Sequence, residues 1–230
     1  MDAIFSWDNA AMVIFNMGEC HNAGLDFFMW MNSQILVWLP VLLMFIYVLV
    51  KNKKKEAFAI LGFTILLFLL CDQISSSVMK PLFARPRPSR DPAVMDLLCY
   101  VNGYRGGKFG FPSSHAANSF GFALFSALLL RHRGYTIVAL LWAGLCAYTR
   151  LYLGVHFPTD ILCGTLLGVS VALFCFWLYR KFFLNHSTFH SVNCDGVTPT
   201  GFLKSDVLWL IWTLLVVEFS LFFASINFFE

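Results

Sequence analysis

Residues 34–50 read QILVWLPVLLMFIYVLV, a run of seventeen residues without a charged side chain. A bilayer core is about 30 Å thick, and a helix needs roughly 20 apolar residues to cross it. The run is near that length, and the chain of 230 residues is 59% hydrophobic and only 13% charged, whereas soluble domains are roughly 25% charged. The sequence therefore predicts a membrane protein with its first transmembrane helix here.

Five further stretches come close to the same length. They cover residues 57–79, 115–130, 135–153, 159–179 and 206–228. The stretch 115–130 is the shortest and follows small polar residues, so we expect neighbouring helices to shield its start from lipid. We predict an all-α, polytopic membrane helix bundle of about six transmembrane helices, with residues 1–230 forming a single membrane domain.

Residues 1–30 have a different composition. They mix aromatic side chains such as Trp7 and Trp30 with acids such as Asp8 and Asp26. This mixture is typical of an interfacial helix with aromatic anchors, so we predict one before the first span. The net charge of the chain is only +3, and no run of Lys and Arg alternates with aromatic residues. Nucleic acid is therefore excluded as a partner.

The distribution of Lys and Arg predicts the orientation. Nine of the sixteen fall at one face, next to the loops after the first, third and fifth spans: Lys51, Lys53, Lys54, Lys55, Arg131, Arg133, Arg180, Lys181 and Lys204. The positive-inside tendency makes that face cytoplasmic, together with the polar loop 184–204. The other face is then exoplasmic, and it receives the long segment 80–114, which is rich in Pro, Gly and basic residues.

Three polar clusters lie at the exoplasmic ends of the spans. They are Lys80 with Arg87, the run PSSH at 112–115, and Arg150 with His156 and Asp160. Spans two and four leave the membrane at this face, and spans three and five enter from it. All three clusters therefore lie at one membrane depth, where they can meet.

The cations of these clusters indicate a phosphate site. Lys80, Arg87 and Arg150 would repel each other at low dielectric unless an anion is bound among them. Arginine offers a planar fork to phosphate oxygens, and lysine adds a point charge. Ser113 and Ser114 lie where the third span begins, so we expect their backbone N–H groups to be free donors of a helix N-terminus, which binds phosphate well.

The two histidines indicate phosphoryl transfer. Pro158 favours a helix start just after His156, and Asp160 in that first turn could accept a hydrogen bond from one imidazole nitrogen. The other nitrogen would then carry a lone pair directed outwards and could attack phosphorus. His115, at the start of the neighbouring helix, could give a proton to the leaving oxygen.

Other interpretations exist for the same residues. A metal site built from His115, His156 and Asp160 is the main rival, although three cations around one point would repel a divalent ion. Four basic residues are expected as anchors to lipid headgroups: Arg85, Arg90, Arg105 and Lys108. Asp72 lies within the second span, where we expect a hydrogen bond to a neighbouring helix, with support of the phosphate site as the alternative.

The three clusters together resemble a known family. Residues 80–88 (KPLFARPRP) match KxxxxxxRP, residues 112–115 (PSSH) resemble PSGH, and residues 149–160 (TRLYLGVHFPTD) resemble SRxxxxxHxxxD. The order and spacing are similar to those of the type 2 phosphatidic acid phosphatase superfamily. The resemblance covers roughly residues 57–180, which we take as the phosphatase core.

The resemblance implies roles for these residues. His156 would form a phosphohistidine, Asp160 would orient it, and His115 would protonate the leaving group and later activate water. The phosphoryl oxygens would be held by Lys80, Arg87, Arg150, Ser113 and the amide of Ser114. The family uses no metal or other cofactor. Ser114 departs from the usual glycine, and Thr149 departs from the usual serine.

We therefore expect a metal-independent membrane enzyme that hydrolyses a lipid phosphate or diphosphate. Undecaprenyl diphosphate and lipid A phosphates rank first as substrates, because an exoplasmic site suits cell-envelope lipids. Phosphatidylglycerol phosphate and phosphatidic acid are the alternatives. An anionic-lipid transporter or binding protein is the alternative of another class. The expected location is the inner membrane, with the active site on the periplasmic face.

Overall fold

A computed structural model describes residues 2–18, 21–183 and 196–227 of the chain. Most of the predicted polar loop 184–204 lies outside the described residues. The described part is mostly helical, and no strand is formed within it. Its helices are α1 (Asp2–Asn16), α2 (Ala23–Asn32), α3 (Leu39–Lys53), α4 (Lys55–Asp72), α5 (Lys80–Phe83), α6 (Ser114–Leu130), α7 (Arg133–Tyr152), α8 (Pro158–Phe183) and α9 (Lys204–Asn227).

The prediction of a polytopic bundle is confirmed. Five helices are long and apolar enough to cross a membrane: Ile35–Lys53, Lys55–Phe83, Arg133–Tyr152, Pro158–Phe183 and Lys204–Asn227. The sixth predicted span is α6, an apolar helix of 17 residues. Most of its residues are buried against α4, α7 and α8, because it is the central helix of the bundle. The small polar residues at its start, Ser113 and Ser114, are therefore shielded by protein, as the composition requires, whereas His115 remains exposed.

The second span is longer than its apolar sequence suggested. A π-helical segment, Gln73–Met79, joins α4 to α5 and makes one continuous helix, Lys55–Phe83. Lys80 therefore lies on this helix and not in the following loop, where we had placed it. The remaining segment, 84–113, is held by three short 3₁₀ turns and by a bridge between Pro86 and Phe109.

Two glycines of α8 bring this helix very close to α6. A Cβ atom on Gly164 would lie 2.3 Å from the carbonyl oxygen of Ser113, and one on Gly168 would lie 2.2 Å from that of Ala117. Small residues four positions apart allow membrane helices to approach in this way. Because of this close approach, the backbone N–H of Ser113 reaches the carbonyl oxygen of Asp160 at 3.0 Å.

The N-terminal segment forms two helices, α1 and α2, where the sequence suggested one. It packs on the end of the bundle that carries the three polar clusters. The Asn16 amide donates to the carbonyl oxygen of Tyr152 at 2.7 Å, and the Tyr152 hydroxyl donates to Asp26 at 2.6 Å. At the opposite end, the buried Asp206 of α9 accepts from Lys51 at 2.7 Å and so ties α9 to α3.

Candidate active site

The three sequence clusters meet in the structure. The Lys80 ammonium donates to the hydroxyl of Ser114 at 2.6 Å. Arg87 Nη1 lies 3.1 Å from His156 Nε2, and Arg150 Nη1 lies 3.4 Å from His115 Nε2. Each of the three cations thus contacts a residue of another cluster. The segments α5, α6, α7 and the start of α8 therefore enclose one site.

His156 and Asp160 form a buried pair at the start of α8. Only 2% of His156 and none of Asp160 is exposed to solvent. Asp160 Oδ2 lies 3.4 Å from His156 Nδ1 and also accepts from the backbone N–H of Phe157 at 3.0 Å. Since Arg87 can only donate, its contact assigns the lone pair to His156 Nε2 and the proton to Nδ1.

The environment keeps the His156 ring neutral. Burial, followed by the charges of Arg87, Arg150 and Lys80, holds the pKa of His156 well below its usual range. A neutral imidazole retains the lone pair on Nε2 that a nucleophile needs. Asp160 can stabilise the positive charge that would develop on the ring once that lone pair is used.

Several donors around this histidine have no acceptor among the described residues. Arg87 Nε and Arg150 Nη2 are buried side-chain atoms without a hydrogen-bond partner. The backbone N–H groups of Ser114 and His115, in the first turn of α6, also have no partner there. Buried donors are almost always paired in folded proteins, so this set fits an anion that accepts from all of them.

Ser113 is placed differently from our expectation. Its backbone N–H donates to the carbonyl oxygen of Asp160, so the expectation of a free N–H at this residue is wrong. Its hydroxyl oxygen accepts from the backbone N–H of Ala116 at 3.4 Å and caps α6. The hydroxyl proton is the donor that Ser113 can still offer to an anion.

Ser114 is accommodated by the serines of the π-helical segment. Besides the Lys80 ammonium, its hydroxyl contacts that of Ser75 at 2.8 Å and that of Ser76 at 3.0 Å. The side chain that replaces the usual glycine is therefore bonded to the Lys55–Phe83 helix. The backbone N–H of Ser114 keeps its place in the first turn of α6.

Sequence reasoning missed the partners of Asp160. Arg85 Nη1 donates to Asp160 Oδ1 at 2.9 Å, and its Nη2 donates to Asp8 Oδ2 at 2.5 Å. The expectation that Arg85 anchors lipid headgroups is therefore wrong. Asp8 also accepts from the hydroxyl and the backbone N–H of Thr159, and only 1% of it is exposed. Asp8, Arg85 and Asp160 form a buried ion triad that joins α1 to the histidine.

Asp72 also departs from the favoured expectation. Among the described residues only Ser76, on its own helix, donates to the Asp72 carboxylate, at 3.3 Å. Ser76 in turn accepts from Lys80 at 3.3 Å and contacts Ser114. Among the described residues, no side chain of a neighbouring helix bonds to the Asp72 carboxylate. Its contacts through Ser76 to Lys80 and Ser114 fit the alternative expectation, that Asp72 supports the phosphate site.

A membrane-embedded helical bundle with these clusters at one end defines an integral-membrane phosphatase. The sequence profile described as the PAP2 superfamily matches residues 57–184, more than half of the chain. The chain belongs to the PAP2 superfamily.

Named relatives and solved structures agree with this assignment. A lipid A 4'-phosphatase of Porphyromonas gingivalis is 38% identical over 85% of this chain and 81% of its own length. One of Bacteroides thetaiotaomicron is 36% identical over 87% of this chain and 88% of its own length. The crystal structure of Aquifex aeolicus LpxE matches with a TM-score of 0.55 at 26% identity, over 72% of this chain and 92% of that one.

A second solved structure supports the fold alone. The crystal structure of a transmembrane PAP2 type phosphatidylglycerolphosphate phosphatase from Bacillus subtilis matches with a TM-score of 0.62 at 23% identity. It covers 79% of this chain and 89% of that one. The chain is therefore an enzyme of the lipid phosphatase class with the helical architecture of its family, and the transporter alternative is not favoured.

Proposed function

We propose that this protein is a lipid A phosphatase that releases inorganic phosphate from a phosphorylated glycolipid of the cell envelope. The observation that carries the proposal is the neutral His156 next to guanidinium donors without partners. The substrate comes from the two relatives described above, both lipid A 4'-phosphatases that match most of this chain.

In the proposed first step, His156 Nε2 attacks the phosphorus atom. The bond between phosphorus and the lipid oxygen breaks, and its electron pair goes to that oxygen. His115, protonated once the anionic substrate is bound beside Arg150, gives a proton to the leaving oxygen and becomes neutral. Lys80, Arg87 and Arg150 neutralise the charge on the phosphoryl oxygens, as the N–H groups at the start of α6 do. Asp160 stabilises the imidazolium that carries the phosphoryl group.

In the second step, His115 takes a proton from a water molecule that attacks the phosphohistidine. The bond between nitrogen and phosphorus breaks, inorganic phosphate leaves, and His156 recovers its lone pair. Each step uses only side-chain and backbone groups of this chain, the lipid and water. The donors that held the phosphoryl group in the first step hold it again in the second.

The test is a phosphate-release assay with purified enzyme and four lipids: a lipid A phosphate, undecaprenyl diphosphate, phosphatidylglycerol phosphate and phosphatidic acid. We expect the highest kcat/KM with lipid A phosphate. His156→Ala should abolish release and retain lipid binding. His132→Asn is a matched control, because His132 caps α7 at the opposite end and asparagine also caps helices. Normal turnover by His156→Ala would refute the mechanism.

We also propose that the site faces the exoplasmic side of the inner membrane, as the charge distribution predicts. A cysteine at Gly107 should react with a membrane-impermeant thiol reagent in intact cells, whereas a cysteine at the exposed Lys55 should not. Gly107 suits this test because a Cβ there meets no atom within 4 Å. Wild-type protein gives the background labelling of the native cysteines. The reverse labelling pattern would show that the topology is inverted.

A further inference from the structure

A strip of polar side chains lies where α4 ends and its π-helical continuation begins, formed by Asp72, Gln73, Ser76 and Ser77. Asp72, Gln73 and Ser77 are exposed on the surface of a helix that crosses the membrane. Most other exposed positions of this helix carry large apolar side chains, among them Phe58, Ile65, Leu69 and Val78. The strip therefore interrupts a surface that is otherwise suited to lipid tails.

Such a surface is costly in a bilayer. A carboxylate at the centre of a membrane helix is unfavourable by about 2.5–3.5 kcal/mol on insertion scales, and ionisable residues there mark functional sites. The π-helix is rare and is found frequently at functional sites. The Asp72 carboxylate directly precedes the π-helical segment, so both observations concern adjacent residues of the Lys55–Phe83 helix.

The hydrogen bonds of the strip distinguish it from ordinary polar residues on membrane helices. The exposed Ser170 of α8 and the half-buried Thr213 of α9 each donate to a backbone carbonyl of their own helix at 2.8 Å. In the strip, Ser77 donates to the side chain of Gln73 at 2.9 Å, and Ser76 donates to Asp72. The second carboxylate oxygen of Asp72 has no donor among the described residues, so the strip offers an acceptor to a ligand.

The strip is continuous with the phosphate site. Asp72 bonds to Ser76, and Ser76 bonds to Lys80, a cation of that site. Asp72 lies eight residues before Lys80, which is roughly 12 Å along an α-helix and somewhat less where the helix is π-helical. A lipid whose phosphate lies at Lys80 extends into the membrane from there, so its body passes along the strip.

We propose that the strip is a subsite for the membrane-embedded part of the substrate's headgroup, and that it accepts from N–H and O–H donors next to the acyl chains. This assignment rests on the proposed function and narrows the substrate class to phosphorylated aminosugar lipids with amide-linked acyl chains. A polyprenyl diphosphate carries no donor at that depth, and a diacylglycerol ester has no amide N–H. The strip thus selects among lipids that share the same phosphate.

The experiment compares kcat/KM for a phosphorylated aminosugar lipid and for phosphatidic acid in purified Asp72→Leu and Gln73→Leu. Removal of an acceptor for a substrate donor should lower kcat/KM for the aminosugar lipid by about 10- to 100-fold. The loss for phosphatidic acid should be at least tenfold smaller. Gln73 makes no contact with Lys80, so its variant separates the subsite from indirect effects on the phosphate site. Ser170→Ala is the matched control on α8.

The outcomes separate the two proposals. No phosphate release from the aminosugar lipid by the wild-type enzyme overturns the proposed function, and the subsite with it. Wild-type turnover that is unchanged in both variants overturns the subsite alone. Equal losses with both substrates also overturn it, because the residues then act only through the phosphate site. A change of oligomeric state in the variants, measured by light scattering, would assign the strip to a contact between two chains.

Discussion

The buried triad of Asp8, Arg85 and Asp160 makes helix α1 a part of the site, and Asp8→Ala tests this. The Asp8 carboxylate accepts three hydrogen bonds, one from Arg85 and two from Thr159. Its loss leaves the Thr159 N–H without an acceptor, whereas Arg85 keeps its hydrogen bonds to Asp160 and to the Thr159 hydroxyl. Hydrogen bonds to a charged group contribute about 1.5–3 kcal/mol each, and breaking a buried ion pair costs about 3–5 kcal/mol. Because Arg85 keeps an acidic partner in Asp160, we expect a destabilisation at the lower end of that range, about 3 kcal/mol.

The same change should affect catalysis through Asp160. Without Asp8, the Arg85 guanidinium loses one of the two carboxylates that position it, so we expect Arg85 and the Asp160 carboxylate that orients His156 to shift together. A loss of about 1.5–3 kcal/mol in transition-state stabilisation corresponds to roughly 10- to 100-fold in kcat. We expect the loss in kcat, with KM nearly constant, because the phosphate-binding cations are untouched. Asp8→Glu, which keeps the charge, should recover part of it.

The assay is phosphate release together with thermal unfolding in detergent. Asp26→Ala is the matched control, since Asp26 also fixes the N-terminal segment, through Tyr152 and His21, without touching Arg85. Both variants should be less stable, but only Asp8→Ala should lose kcat. Equal kcat values in the two variants would refute a positioning role for the triad and leave Asp8 as a structural residue.

Three further outcomes are expected. Gly168→Val should lower the unfolding temperature strongly, because its Cβ would lie 2.2 Å from a carbonyl oxygen of α6. Gly62→Val, whose Cβ would meet no atom within 4 Å, should have little effect. Similar losses in the two variants would contradict the close approach of α6 and α8. The folded-state pKa of His156 is depressed, so below about pH 6.5 the unfolded chain binds a proton that the folded chain does not. The free energy of unfolding of the wild type should therefore fall by up to ~1.4 kcal/mol per pH unit relative to that of His156→Gln. Parallel curves of stability against pH would show that the ring is not held neutral. Chelator should leave phosphate release unchanged, and a loss restored by a divalent ion would revive the metal interpretation.

The sequence was sufficient to predict the helices and most of the candidate site. Apolar runs of membrane-spanning length set the bundle, because the bilayer imposes one length on every crossing. Lys80, Arg87, His115, Arg150 and His156 all lie near the ends of those runs. Since successive spans alternate in direction, these ends share one depth, and the meeting of the three clusters could be expected before any coordinates.

Contacts between distant segments could not be predicted in the same way. Asp8 and Thr159 are 151 positions apart. The composition around Asp8, an acid among aromatic residues, did not indicate that its side chain would be buried in the bundle. Arg85 was read as a surface cation because sequence alone does not show burial. The N–H of Ser113, predicted to be free, donates to the carbonyl oxygen of Asp160, because two glycines let α8 approach α6 closely.

The sequence by itself determined the class of fold, the membrane depth of the site and the residue types around a phosphate, because hydrophobic length and charge at helix ends act locally along the chain. Tertiary structure decided which donors remain free for the anion and which side chains orient His156. It also decided that the polar strip from Asp72 to Ser77 lies on the exposed surface of a membrane-spanning helix. These properties depend on how closely helices approach and how they are rotated, and packing sets both.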